Sequence, residues 1–563
     1  MDLEYRADQY YRHAEMTAYL QAAADAFPQF VSLETIGITP EGRDIWVVTL
    51  TNRATGEPED KPAYWIDANT HASEVTGNAA ALYTIHYVTT RLQQPDIAQL
   101  LSERTLYIAP RLNPDGAEYC LEHNHYVRSA RRLYPDPEPT VGLIEEDIDG
   151  DGYVLQMRLE ADDGPWRPSA KDARLLVARM PWDTEGPFYH LYAEGTFEAD
   201  ALEDPRLPML ERDAHGLDFN RNYPNRWLPE SDQAGAGPYP LSEPETRAAV
   251  NFLLAHRNVC GALTYHTYSG VLLRPFSDRP DTEMPPFDLA AFEAIGQRCE
   301  ALTGYPCHSV FHDFRYDPVK NIGGAFDDWA YEQLGVHSYT MELWDPQNAA
   351  GVDPKAVLLD HWMKPTEDDL VKYLQWNDAE LDGEGFEPWR PFEHPQLGRV
   401  DIGGWKFMYT LRNPPRKYLE KVCHDACLFS LDHARSGPRP RLSLAARQLT
   451  DGLWRLTATL ANEGFLPTYV TERARAAQIA QKTHLEIELS QGLALEVGAL
   501  HERVPHLDGM SNITLPQWPS HMHRGQTRDA LAQRSWLLSG TGIARVTWRG
   551  DRVGRLEDEM ELV

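Results

Sequence analysis

From the N-terminal region to about residue 435, short β-rich apolar runs alternate with stretches whose apolar residues recur at helical spacing. That alternation predicts an α/β domain with a mixed, largely parallel sheet flanked by helices. Four runs stand out because each ends in polar residues able to do chemistry. AYWIDA (63–68) precedes His71 and Glu74, RTLYIAP (104–110) leads into RLNPDG, VCGALTY (259–265) precedes His266, and VHSYTM (336–341) precedes Glu342. Open α/β sheets bind ligands at the carboxyl ends of their strands, so four such ends predict one shared crevice. The helical pattern of EVTGNAAALYTIHYVTTRL puts Glu74 in a first turn and His71 on the loop before it.

The pattern changes elsewhere. Residues 133–214 are polar and proline-rich and read as an insertion over the core, covering part of the cleft. Residues 383–440 are rich in Pro and Gly and read as a linker carrying one helix, PRKYLEKVCHDACLF. From residue 441 to 563 strands alternate with regular turns, which predicts a C-terminal all-β sandwich after a domain spanning 1–382.

Composition narrows the partners. The formal net charge is -32, from 53 Lys and Arg against 85 Asp and Glu, so phosphate backbones and anionic membranes would be repelled. No nucleic acid or membrane partner is expected. No apolar stretch reaches the roughly 20 residues of a bilayer span, and the N-terminus has neither signal-peptide character nor an obvious inhibitory pro-segment, so a cytoplasmic location is expected. Six cysteines without framework spacing fit reduced thiols, and CHDAC (Cys423, Cys427) offers only half of a metal site.

His71 and Glu74 supply a nitrogen and an oxygen ligand from one turn, and His266 a third from a distant strand. Two His and one carboxylate suit Zn²⁺ with a fourth position open, the arrangement of a catalytic site. Within the insertion, Asp147, Asp149, Asp151 and Gly152 have the spacing of the start of a calcium loop, although Arg158 stands where an EF-hand needs Glu.

The ordered motifs THASE, RLNPDG, LDFNRNYP, GPYPLSEPET, TYHTYSG and YTMELWD resemble those of the zinc metallocarboxypeptidases of the carboxypeptidase A and B type, over most of residues 5–380. The resemblance implies zinc on His71, Glu74 and His266, with Glu342 as general base. It implies Arg128 as the oxyanion-stabilising arginine, and Asn220 with Arg221 as the grip on a peptide's free terminal carboxylate. Asp218 matches an aspartate that orients a ligand histidine. Tyr316 is the nearest match to a substrate-contacting phenol. GGAFDDW leaves Phe326 and Asp327 as alternatives for the specificity pocket, the first favouring apolar and the second basic terminal residues. The expected activity is removal of C-terminal residues from peptides. A zinc amidohydrolase acting on an acyl amino acid or cell-wall peptide, and an inactive zinc-binding protein, are the alternatives.

Overall fold

The computed structural model describes residues 4–135, 142–197, 216–317, 319–355, 357–512 and 529–563. Its central sheet contains β1 (Val31–Ile38), β2 (Asp44–Leu50), β3 (Ala63–Ala68), β4 (Thr105–Ala109), β5 (Val259–Thr267), β6 (Val271–Arg274), β7 (Cys307–Ser309) and β8 (His337–Leu343). They lie in the order β1-β2-β4-β3-β5-β8-β6-β7. The middle four pair in parallel, while β1, β2 and β6 bring in antiparallel contacts, so the sheet is mixed around a parallel centre.

Every residue of β3 and of β5 is buried, as expected for parallel strands covered on both faces. Alternation still sorts the side chains. Tyr64, Ile66 and Ala68 of β3 enter one apolar core, and Ala63 and Trp65 enter the core on the opposite face. The first core includes residues of the helices Val75–Thr89, Pro286–Thr303 and Arg416–Arg435, and the second those of Pro244–Ala255 and Phe326–Trp329. Each large apolar side chain buried this way contributes about 1.5–3 kcal/mol, which holds the carboxyl ends of β3, β5 and β8 in fixed register.

The region read as a linker is structural. Its strands Phe386–His394 and Gly398–Trp405 form a hairpin that extends a six-stranded sheet with the insertion's strands Gln156–Glu160, Tyr189–Ala193, Trp166–Pro168 and Leu176–Ala178. Its helix, Arg416–Arg435, buries Leu419, Cys423, Cys427 and Phe429 in the main core. Prolines there mark a helix start and positions on a sheet-edge strand, where a missing N–H is tolerated. Cys423 and Cys427 are buried thiols, whereas His424 turns away to Tyr83.

Beyond Pro440 lie two antiparallel four-stranded sheets packed face to face, with Leu456, Ile487, Trp536 and Trp548 in their common core. This is the expected C-terminal sandwich. It is anchored to the first domain by Arg552, which donates to Gly335 O at 2.7 Å, and by Asp288, which accepts the Glu472 and Arg473 N–H groups at 2.7 and 3.0 Å. Among the described residues no helix is long and apolar enough to cross a membrane.

Candidate active site

The chain leaves β3 through Asn69, whose φ of 60° lies in the left-handed region that Asn tolerates. Its amide donates to the His71 and Ala72 carbonyls at 2.7 and 3.0 Å, curling the loop so that His71 faces the end of β5. The NPDG turn buttresses this loop. Asn113 Nδ2 bonds the carbonyls of Thr70 and Ser129, and the Ala72 N–H bonds Arg128 O at 2.9 Å. A Cβ on Gly116 would lie 2.1 Å from Ser129 O, so only glycine permits this approach.

His71, Glu74 and His266 converge, with one ligand atom from each within 4.8 Å of the others and all three residues buried. Glu74 is the N-cap residue of the Val75–Thr89 helix. Its Oε1 lies 2.9 Å from His71 Nδ1 and its Oε2 2.9 Å from His266 Nδ1. The two histidines also bring their Nδ1 atoms within 2.9 Å of one another. Two imidazole nitrogens and a carboxylate aimed at one point form a donor set that suits a divalent cation of the zinc type. Burial alone would raise the Glu74 carboxyl, but the charges of His71, Arg412 and His266 outweigh it and hold it well below the usual carboxylate range.

Asp218 divides its oxygens between two partners. Oδ1 contacts His71 Nε2 at 3.0 Å, leaving Nδ1 to face Glu74, and Oδ2 accepts Arg128 Nε and Nη2 at 2.9 and 2.8 Å. Arg128 Nη1 stands 3.7 Å from Glu74 Oε1. The neighbouring arginines face elsewhere: Arg132 forks onto Glu245, and Arg131 stacks on Tyr119. Asp218 also accepts the Asn220 N–H at 2.9 Å, which fixes the short Phe219–Arg221 turn and presents Asn220 and Arg221 to the cleft.

Glu342 is the register partner of His266 across the β5–β8 pairing, and its Oε2 is buried without a hydrogen-bond partner among the described residues. Burial and, secondarily, the negative charge of Glu74 push its carboxyl up to about 7.

His71, Glu74, Arg128, Asn220, Arg221, His266 and Glu342 line one 180 Å³ cleft together with Tyr316 and Asp327. Tyr316 is 53% exposed, which puts its phenol at the rim. Phe326 corrects one of the two specificity alternatives. It is 2% exposed and packs on Tyr223 and Trp329, because the Phe326–Trp329 helix turns it into the core beneath the sheet while Asp327 faces the cleft. None of the described insertion residues lines this cleft, so the expected cover is not supplied by them.

Asp147 and Asp149 of the calcium-like loop gather with Glu194, one oxygen of each within 4.8 Å of the others, and protein groups bond these carboxylates. Asp147 accepts the N–H groups of Gly150, Asp151 and Gly152, Glu194 accepts those of Ile148 and Leu155, and Arg390 bridges Asp149 and Asp151. Sequence reasoning missed Arg412, which lines the same cleft and pairs with Glu74.

A family model described as zinc carboxypeptidase matches residues 16–375, well over half of the chain. The chain belongs to the zinc carboxypeptidase family. A second model, a domain of unknown function (DUF8731), matches residues 442–561 of this family member, the sandwich. Among curated relatives of this carboxypeptidase-family chain, mouse carboxypeptidase A6 is 23% identical over 375 residues, covering 64% of this chain and 65% of that protein. Carboxypeptidase B of Astacus astacus is 24% identical over 361 residues, covering 60% and 88%. Among solved structures, thrombin activatable fibrinolysis inhibitor aligns at 18% identity and a TM-score of 0.45, covering 76% and 74%. The carboxypeptidase-family chain therefore spans about two thirds to nine tenths of the curated relatives named here.

Proposed function

We propose that this family member is a zinc-dependent exopeptidase that removes basic residues from the free C-termini of peptides. The observation that carries the reading is the meeting, in one cleft, of the His71, Glu74 and His266 donor set with Glu342, Arg221 and Asp327. His71, Glu74 and His266 would hold zinc, which supplies a Lewis acid that polarises a carbonyl and acidifies water.

The chain's own residues do the rest. Glu342, whose carboxyl is lifted to about 7, takes the proton of the attacking water and hands it to the leaving amine. Arg128, pinned at Nε and Nη2 by Asp218, keeps Nη1 for the oxygen on which negative charge develops. Asn220 and Arg221 grip the substrate carboxylate, for which a guanidinium fork is the matching shape. Tyr316 closes the rim over the bound peptide. Asp327 sits in a wall that includes the apolar Leu273, Ile322 and Leu359, so a Lys or Arg side chain would lay its stem along apolar surface and its charge against the carboxylate. Burial raises the Asp327 carboxyl, and a substrate cation would supply its missing counter-charge.

The test is a set of peptides differing only at the last residue, each with a free and an amidated C-terminus, assayed with zinc and after chelation. Lys- and Arg-ended free peptides should be cut and their amides spared. Equal cleavage of amides would remove the carboxylate grip from the reading, and zinc-loaded protein without hydrolysis would remove the enzyme.

A further inference from the structure

Arg412 lies outside residues 16–375, the part matched by the family, yet its Nη2 donates to Glu74 Oε1 at 2.8 Å across 338 positions of chain. It is 9% exposed, and its guanidinium lies 5.3 Å from the Tyr126 ring centre and 5.4 Å from that of Tyr268, which lines the cleft. Its Nε is buried without a hydrogen-bond partner among the described residues. The next residue grips the same loop. Asn413 Oδ1 accepts the Thr76 N–H at 3.0 Å and its hydroxyl at 2.7 Å, while Asn413 Nδ2 donates to Ser73 O at 2.8 Å. The two side chains thus hold Glu74 itself, the carbonyl before it and the helical N–H two residues after it. The Arg416–Arg435 helix packed in the main core keeps this segment in place.

We infer that Arg412 and Asn413 form a positioning clamp for Glu74, supplied by a segment beyond the family region, that holds this carboxylate ready to bind the metal. The inference rests on the proposal that Glu74 is a zinc ligand. A charge-assisted bond to one carboxylate oxygen fixes the orientation of the group, so the ordering cost is met by the fold before the ion arrives. Arg412 acts through Glu74 and is a positioning residue.

The test uses the full chain. Zinc affinity is measured by competition with a chromophoric chelator for wild type, Arg412→Gln, Arg412→Lys and Arg552→Gln, the last removing an equally buried arginine at the sandwich junction. Arg412→Gln should weaken zinc about 10–100-fold, the usual effect of losing a partner of a metal ligand, with Arg412→Lys intermediate and Arg552→Gln unchanged. Hydrolysis by Arg412→Gln should fall at limiting zinc and recover when zinc is in excess. Unchanged zinc affinity in Arg412→Gln, or an equal loss in Arg552→Gln, overturns the clamp while leaving the zinc reading intact. A wild-type chain that binds no zinc overturns the ligand assignment, and the clamp with it.

Discussion

Glu342 stands directly opposite His266 in the parallel pairing of two central strands, with one carboxylate oxygen buried and unpartnered among the described residues. That register puts a proton acceptor beside the donor set without making it part of the set. Replacing Glu342 by Gln should therefore leave zinc content unchanged and lower kcat by about 10²–10⁴, the range for a lost general base. Metal analysis and steady-state kinetics on one preparation check both halves. Near-normal turnover in Glu342→Gln would exclude it as the base.

The same carboxyl sets a pH dependence of stability in metal-free protein. Its folded-state value is raised from 4.5 to about 7, so its relative contribution is fully present below the unfolded value and is lost as pH rises towards and past 7. Removing the charge should then help most at high pH. Glu342→Gln is expected to gain about 2–3 kcal/mol over wild type between pH 4 and pH 8. Urea unfolding of chelated protein at the two pH values measures the gain, and a pH-independent difference would contradict it.

Asp327 and Phe326 are adjacent in sequence but face opposite sides of the wall, which separates their roles experimentally. Asp327→Ala should cost about 2–5 kcal/mol in kcat/KM for a Lys-ended peptide, as expected when one partner of a buried charge pair is removed, and should spare a Leu-ended one. Phe326→Ala should instead destabilise the fold by about 3–5 kcal/mol with the Lys-to-Leu ratio unchanged. Thermal melts and paired kcat/KM values distinguish the two. A ratio that moved with Phe326 and not with Asp327 would reverse the assignment.

The legible part of the site was the part carried by local sequence. His71, Glu74, His266 and Glu342 each follow an apolar run within a few residues, so strand ends brought them together, whereas Asp218 was implied only by the resemblance of LDFNRNYP to a family motif. Arg412 has no such signature. Its partner is 338 positions away, and its own neighbourhood is a Pro-rich stretch whose composition suggests a connection between domains. The hairpin at 386–405 was hidden for a related reason. It pairs with the insertion strand Gln156–Glu160, in a sheet whose insertion strands have only three to five residues, too short for a period of two to stand out. The choice between Phe326 and Asp327 needed the helix phase at Phe326–Trp329, which a one-residue shift reverses.

Asp218 joins two functions that are usually considered separately, because one oxygen serves His71 and the other serves Arg128. Burial opposes its charge, but Arg128, Arg221 and His71 together keep it well below the usual carboxylate range, so it stays an acceptor on both sides. Asp218→Asn retains an oxygen for only one of the two partners and places an N–H against the other. Zinc affinity should fall about 10–100-fold, and the guanidinium of Arg128 should lose its fixed orientation. Arg128→Ala should then cost less in kcat/KM when Asp218 is already Asn, with a coupling of about 0.5–3 kcal/mol between the two sites. A double-mutant cycle at saturating zinc isolates that coupling from the loss of metal. Strict additivity would mean that Arg128 is oriented by the rest of the cleft, and that Asp218 serves His71 alone.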